Sequence, residues 1–327
     1  MSVISKGDKS VANIKEVARL SNCSVTTVSR VLNHHPHVSE EKKQRILAVI
    51  KELDYAPNSQ ARDLILGVSK NIGVVIPNVN HSYFEKIISG VIESAFEIGY
   101  SVTLLPTNYN PEIEKSYFEQ LKTKRFEALI LTSKSNSLAE IEKYTKYGPI
   151  ICCEDTKDYA ISSVHVDRKK AYTEVFASLK EMGYQNIGVT INRSEEVSAS
   201  SKINSESYED VFGVSIEGKI VRDCSTMEDG KKAADYFFNS DQEFDAIVTN
   251  GDHVASGIYK YAKDRHLKQP LLIGQENLAI SEVLSFTTVD FHLKEIGSAA
   301  FQLAVSGEVA KKVFPYTIIK RSFNCNV

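Results

Sequence analysis

From Asn71 onward the chain repeats one pattern, a short apolar run followed by an amphipathic stretch of helical period. NIGVVIP, YSVTLLP, FEALILT, PIICCE, NIGVTI, FDAIVTN and QPLLIGQ each have the length and apolar density of a strand buried on both faces. Amphipathic segments such as 83–98 and 113–122 lie between them. Parallel neighbours cannot be joined by a tight turn, so this alternation predicts parallel sheets with crossover helices. The number of such units, and the polar residues at the strand ends, predict an α/β body of two doubly wound parallel-sheet lobes with a ligand cleft between them.

The opening segment follows a different period. Asn13 with Glu16 three residues on forms a capping-box pattern, and Ile14, Val17, Ala18 and Leu20 follow at helical spacing. Ser21-Asn22-Cys23 breaks that helix, and Ser24 caps a second one carrying Val25, Val28, Val31 and Leu32. Two short helices so tightly joined are a helix-turn-helix candidate. Ser39 and Glu40 open a third helix, whose Ile46, Val49, Ile50 and Leu53 close a miniature all-α core. The stretch SQARDLILGVSK has no core-forming stripe of its own and reads as a hinge. The expected organisation is a disordered leader over 1–10, a helix-turn-helix domain over 11–57, a hinge helix and linker over 58–70, and a body over 71–327. Within the body the N-lobe is expected at about 71–167 and 291–315, and the C-lobe at about 168–290 and 316–327.

Bulk properties narrow the function. A chain of 327 residues exceeds what one hydrophobic core organises. The net charge of −3 conceals an asymmetry: up to Leu66 ten Lys and Arg face seven Asp and Glu, and beyond it 29 face 35. A basic head on an acidic body suits contact with phosphate at one end only. No apolar run approaches the roughly 20 residues that cross a bilayer, and MSVISKGDKSVANIK has no apolar stretch after its lysines, so a cytoplasmic protein with no membrane role is expected. Cys23, Cys152, Cys153, Cys224 and Cys325 are an odd set without CxxC spacing and read as reduced thiols, not a disulfide framework or a zinc site. GxSxG, HExxH, the P-loop and the dinucleotide glycine fingerprint are absent, so neither catalysis nor a cofactor is expected. A solute-binding protein of a transport system suits the body alone; the basic head opposes it.

The series NIKEVARLSNCSVTTVSRVLN, VSEEKKQRI and LDYAPNSQARDL, with IGVVIPNVNHSYF, PIICCED, VTNGDHVASGI and LLIGQEN further on, resembles the LacI/GalR family of bacterial regulators from Ala12 to Phe323. The resemblance implies a homodimer with a periplasmic-binding-protein-like body, each head placing its second helix in the major groove of half of a near-palindromic operator on double-stranded DNA. It also implies an effector that moves the lobes and so orders or releases the hinges. Repressor and activator are not separated by it. By similarity Val25, Thr26 and Arg30 read bases, where a methyl, a hydroxyl and a forked guanidinium reach base edges. Ser24, Thr27, Ser29, Asn33, His37 and Asn58 are assigned to phosphate or register. The resemblance further implies a minor-groove wedge at Leu64 beside the small Ala61.

In the cleft the resemblance assigns Asn78, Tyr83, Phe84, Glu154, Asn204, Asn250, Asp252 and Glu276 to the effector. Phe84 reads equally as core of a helix face. The family usually has aspartate where Glu154 and Glu276 stand, and where sugar-responsive relatives carry an arginine this chain offers Ser201, Lys202 and Asn204, with no arginine between Arg193 and Arg222. A larger saccharide, a phosphosugar, a protein co-regulator, or no ligand at all therefore stay open as partners of the body.

Overall fold

The computed structural model describes residues 13–32, 37–55, 69–79 and 81–321. The chain divides into two compact units, Met1–Ser69 and Lys70–Val327.

In the first unit three helices, α1 (Ile14–Leu20), α2 (Val25–Leu32) and α3 (Glu40–Glu52), pack around Val17, Ala18, Val28, Val31 and Ile46. The Asn13 side chain accepts from the backbone N–H groups of Lys15 and Glu16 at 3.0 and 3.1 Å, which satisfies two of the otherwise unpaired donors at the start of α1. Ser24 starts α2 in the same way: its Oγ accepts from Thr27 N at 3.1 Å and lies 2.9 Å from Thr27 Oγ1. Asn22, at φ +48°, makes the reversal between the two helices. A core this small commits only one side of α2, and the other side is left to solvent.

The body holds two six-stranded sheets. The first runs β11 (Lys311–Phe314), β5 (Ser162–Val166), β4 (Ile150–Cys152), β3 (Ala128–Leu131), β1 (Asn71–Ile76), β2 (Ser101–Pro106), all parallel. The second runs β12 (Thr317–Ile319), β10 (Thr287–Asp290), β9 (Leu271–Gln275), β8 (Ala246–Val248), β6 (Ile187–Thr190), β7 (Ile220–Val221). It is parallel except for the edge strand β12 against β10. Crossover helices α4 (Ser82–Glu97), α5 (Pro111–Lys122) and α6 (Leu138–Glu142) serve the first sheet, and α7 (Arg168–Glu181), α8 (Ala199–Phe212), α9 (Met227–Asn239), α10 (Asp252–Asp264) and α11 (Ala279–Val283) the second. The chain returns through α12 (Leu293–Ser306) to add β11 to the first lobe before β12 joins the second.

Each lobe seats one helix pair backbone against backbone, and glycine makes the approach possible. A Cβ at Gly90 of α4 would stand 1.9 Å from the Lys294 carbonyl oxygen of α12, and one at Gly297 of α12 would stand 2.0 Å from Ile87 O. The second lobe repeats the device: Gly230 of α9 meets Val254 O and Gly257 of α10 meets Met227 O. Neither helix of a pair can absorb a methyl group without separating, because the obstructing atoms are backbone. Gly90→Ala should therefore lower the unfolding free energy of the body by about 1–3 kcal/mol, whereas Ser89→Ala, one residue away on a half-exposed face, should change it by less than about 0.5 kcal/mol. Urea melts of the two variants check the contrast.

Candidate functional site

The exposed side of α2 is the first candidate surface. Val28 and Val31 point into the three-helix core, while Val25, Thr26 and Arg30 are exposed, Val25 to 41%. At 100° per residue these three fall on one arc opposite the buried valines. Ser24 is exposed beside them, with its hydroxyl and that of Thr27 already engaged in capping the helix. Ser29 is half-buried and His37 is exposed. Asn33, Asn58, Ala61 and Leu64 lie outside the described residues.

The second candidate is the cleft between the two sheets of the body, a cavity of about 800 Å³. Its walls are mostly the residues that follow strand ends: Tyr83 after β1, Tyr109 after β2, Ser133 and Lys134 after β3, Glu154 after β4, Arg168 after β5, Asn192 and Arg193 after β6, Asn250 after β8, and Gln275 and Glu276 at the end of β9. Parallel strands deliver those ends to one edge, which is why residues far apart in sequence converge there.

Glu276 is the electrostatic centre of this wall. Its carboxylate is buried, accepts from Ser82 Oγ of the first lobe at 2.5 Å, and has His81 Nδ1 at 4.0 Å. Lys86 of α4 donates to the Glu276 and Asn277 carbonyls at 2.5 and 3.0 Å, so one short segment of the second lobe is tied at three points to the start of α4. Glu276 and Asn277 are both held at positive φ, +91° and +50°, a conformation that glycine adopts more readily and that this network maintains. Burial pushes the Glu276 carboxyl up to about 8, with nearby Asp252 adding to the rise and the Ser82 hydrogen bond opposing it. Burial also pushes His81 down to about 4.

The other expected effector residues divide. Tyr83, Phe84, Glu154, Asn204 and Asn250 all line the cavity. Phe84 is 4% exposed and belongs to the apolar core of α4 as much as to the wall, with Tyr83 edge-on to it at 5.2 Å. Glu154 accepts from Ser133 at 2.8 Å and has Lys134 at 3.7 Å. Both ends of the Asn250 amide are occupied: Oδ1 accepts from Thr190 Oγ1 and Nδ2 donates to Cys224 O, each at 2.7 Å. Asn204, on α8, keeps a buried Oδ1 with no partner.

Two of the expected effector residues are not on the cavity wall. Asp252 is one of them. It is fully buried in the first turn of α10, where Oδ1 accepts from Thr288 Oγ1 and Oδ2 from Leu278 N, each at 2.7 Å, so it braces α10 against the loops of β9 and β10. Burial pushes it up to about 6, opposed by those hydrogen bonds. Asn78, half-buried after β1, is likewise not among the residues that line the cavity. In exchange the cleft contains Arg168, Arg193 and Tyr109, which sequence reasoning passed over. Arg168 was hidden because β5, SSVHV, has no apolar run to mark its end.

Among the described residues no group of His, Cys, Asp and Glu is arranged to hold a metal ion, and no helix is long and apolar enough to cross a membrane.

Residues 13–58 match the family described as bacterial regulatory proteins, lacI family, and residues 69–312 match periplasmic binding proteins and sugar binding domain of LacI family. The chain belongs to the LacI family of transcription regulators. Catabolite control protein B of Bacillus subtilis (strain 168) is 45% identical over 300 residues, covering 92% of this chain and 96% of that one. The HTH-type transcriptional repressor PurR of Klebsiella pneumoniae (strain 342) is 27% identical over 315 residues, 92% of each chain. The crystal structure of the lac repressor dimer bound to operator and the anti-inducer ONPF has the same fold, with a TM-score of 0.77 at 20% identity over 96% of this chain and 99% of that one. As a LacI-family member the chain is a DNA-binding regulator and not an enzyme; its buried acids are explained by hydrogen bonding.

The titration of Glu276 gives this regulator a pH signature. An acid held at about 8 when folded but near 4.5 when unfolded keeps its proton longer in the folded state, so stability falls as pH rises between those values. Asp252 contributes in the same sense only up to about 6, and His81 contributes in the opposite sense, complete above 6.5. Between pH 6.5 and 8 Glu276 is the one of the three still titrating. The melting temperature should fall across that interval, and Glu276→Gln, neutral throughout and able to accept from Ser82, should flatten the fall; thermal melts at pH 6.5 and 8 measure it.

Proposed function

We propose that this LacI-family regulator is a repressor of a carbohydrate-utilisation operon that binds a near-palindromic operator as a homodimer and is switched by a small molecule in the inter-lobe cleft. The exposed arc of Val25, Thr26 and Arg30 on a helix whose other side is fixed by Val28 and Val31 carries the DNA-reading half of this proposal. A helix so mounted presents a methyl surface, a hydroxyl and a fork of N–H donors to a major groove while its backbone is held by the core behind it. Ser24, Thr27, Ser29 and His37 are assigned to phosphate or register contacts.

Dimerisation is supported by an apolar surface on the first lobe. Ile92, Phe96 and Ile98 on and just after α4, with Leu104 of β2, are exposed, Phe96 to 85%. A helix face of that composition is a candidate for burial against a second copy. The carbohydrate reading is supported by the sugar-binding family that the body matches and by the name of the Bacillus subtilis relative. The switch is supported by the ties from Ser82 and Lys86 across to Glu276 and Asn277: a ligand at that wall bears on the two lobes at once. Coupling of that kind is reciprocal, so a ligand that weakens operator binding must itself bind less tightly to the operator complex.

Arg30→Ala should weaken operator binding by about 1–3 kcal/mol and relax selectivity at one base pair, whereas loss of a phosphate contact should weaken all sequences alike. Binding isotherms on operator variants at fixed salt decide it. An Arg30→Ala protein with unchanged base preference would remove Arg30 from base reading.

A further inference from the structure

The charges inside the cleft are not balanced in the way a neutral ligand would need. Of the four lysines on its wall, Lys134 has Glu154 at 3.7 Å, Lys169 has Asp210 at 2.5 Å and Lys202 has Glu206 at 3.8 Å, while Lys157 has no carboxylate oxygen within 4.0 Å among the described residues. The two arginines are held in another way. Among the described residues no carboxylate oxygen lies within 4.0 Å of Arg168 or Arg193, and both guanidinium groups are held by aromatic faces instead. Arg168 Cζ stands 5.0 Å over the Tyr83 ring and 4.6 Å over the Phe291 ring, with Nη1 donating to Tyr172 Oη at 3.4 Å. Arg193 Cζ stands 3.6 Å over Tyr109. An aromatic face orients a guanidinium without neutralising it and leaves its in-plane N–H donors for another acceptor.

The acids of the cleft do not supply that acceptor. Glu276 has Ser82 as its donor and is kept largely protonated by burial at neutral pH, and Glu154 has Ser133 and Lys134. Asp155 and Asp167 are exposed and cap backbone N–H groups of Lys157 and Lys170. The wall therefore presents two arginines toward the cavity that are preoriented on aromatic faces and have no ion-pair partner among the described residues. It also presents one bare acceptor, the Asn204 Oδ1, on a side chain that is 1% exposed. A buried carbonyl oxygen without a donor costs free energy that a ligand hydroxyl would recover.

We propose that the cleft takes a phosphorylated polyol, a sugar phosphate, whose phosphate is bound by the guanidinium groups of Arg168 and Arg193 and one of whose hydroxyls donates to Asn204. Forked N–H donors match the oxygens of a phosphate better than they match single hydroxyls, and a cavity of about 800 Å³ accommodates a phosphorylated mono- or disaccharide. Because Arg193 of the second lobe rests on Tyr109 of the first, an anion held there also bears on the seam between the lobes. This inference rests on the cleft being the effector site.

Calorimetric titration of the full chain with hexose 6-phosphates and 1-phosphates, with the same hexoses unphosphorylated, and with inorganic phosphate tests it. At least one sugar phosphate should bind about tenfold or more tighter than its neutral parent, as loss of a charge-assisted contact implies, and Arg193→Gln should remove most of that advantage. Arg168→Gln should act in the same direction; if that variant fails to fold, because its guanidinium is packed between rings, Arg193→Gln carries the test alone. The proposal is overturned if neutral sugars bind as tightly as their phosphates, if no sugar phosphate binds, or if Arg193→Gln binds them undiminished. Inorganic phosphate matching the best sugar phosphate would overturn the polyol half and leave a free oxyanion as the ligand. Operator retardation by the chain alone and with each ligand, run in parallel, separates the outcomes: retardation in any of these conditions with no sugar-phosphate binding rejects this inference alone, and no retardation in any of them rejects the proposed regulatory reading.

Discussion

A parallel sheet sends the C-terminal end of every strand to the same edge, and the body of this regulator is built from two such sheets. The groups with chemical character stand at those ends: Ser133 and Glu154 in one lobe, Arg193, Asn250 and Glu276 in the other. Between the ends and the helices that follow, short loops expose backbone N–H and C=O groups and tolerate positive φ, as at Glu276 and Asn277. The interiors of the strands are apolar and carry the cores, so stability and recognition occupy different stretches of the same elements. The glycine-mediated helix contacts at Gly90 with Gly297, and at Gly230 with Gly257, hold backbone against backbone within each lobe.

Between the start of α4 and the loop after β9 the contact of the lobes is polar and asymmetric, beside an apolar cluster that takes residues from both lobes. The first lobe contributes donors, Ser82 and Lys86, and the second contributes acceptors, the Glu276 carboxylate and the carbonyls of residues 276 and 277. Apolar seams would hold the lobes by area alone. Hydrogen bonds of this kind are directional and lose their strength over a small displacement, so a ligand that competes for any of these partners has leverage on the arrangement of both lobes. In the head the division is simpler. A core of five buried residues fixes three helices, and the arc of α2 that the core does not use is free for recognition.

Much of this is legible in the sequence. The apolar runs marked seven strands of the two sheets, and the amphipathic segments at 83–98 and 113–122 correspond to Ser82–Glu97 and Pro111–Lys122. Asn13 and Ser24 gave the starts of α1 and α2 through their short acceptor side chains. What was not legible has physical reasons. β5, SSVHV, and β10, TTVD, carry polar residues on buried strands and show no apolar run, although Thr288 of β10 is buried because its hydroxyl meets Asp252. Asp252 follows a strand end, as a ligand residue would, yet two donors from β10 and the β9 loop consume its carboxylate; no sequence spacing reveals that. Arg168 lies just past the unmarked β5, and its environment is assembled from Tyr83 and Phe291, far away in the chain on either side.

On the proposed reading, recognition of the double helix resides in the first unit while the body governs when it occurs. Gel retardation of a promoter fragment by the full chain and by a chain restricted to residues 70–327 tests it most directly. The shortened protein should keep a cooperative melting transition but no longer retard the fragment. Retardation by the shortened protein at the concentrations that suffice for the full chain would contradict it.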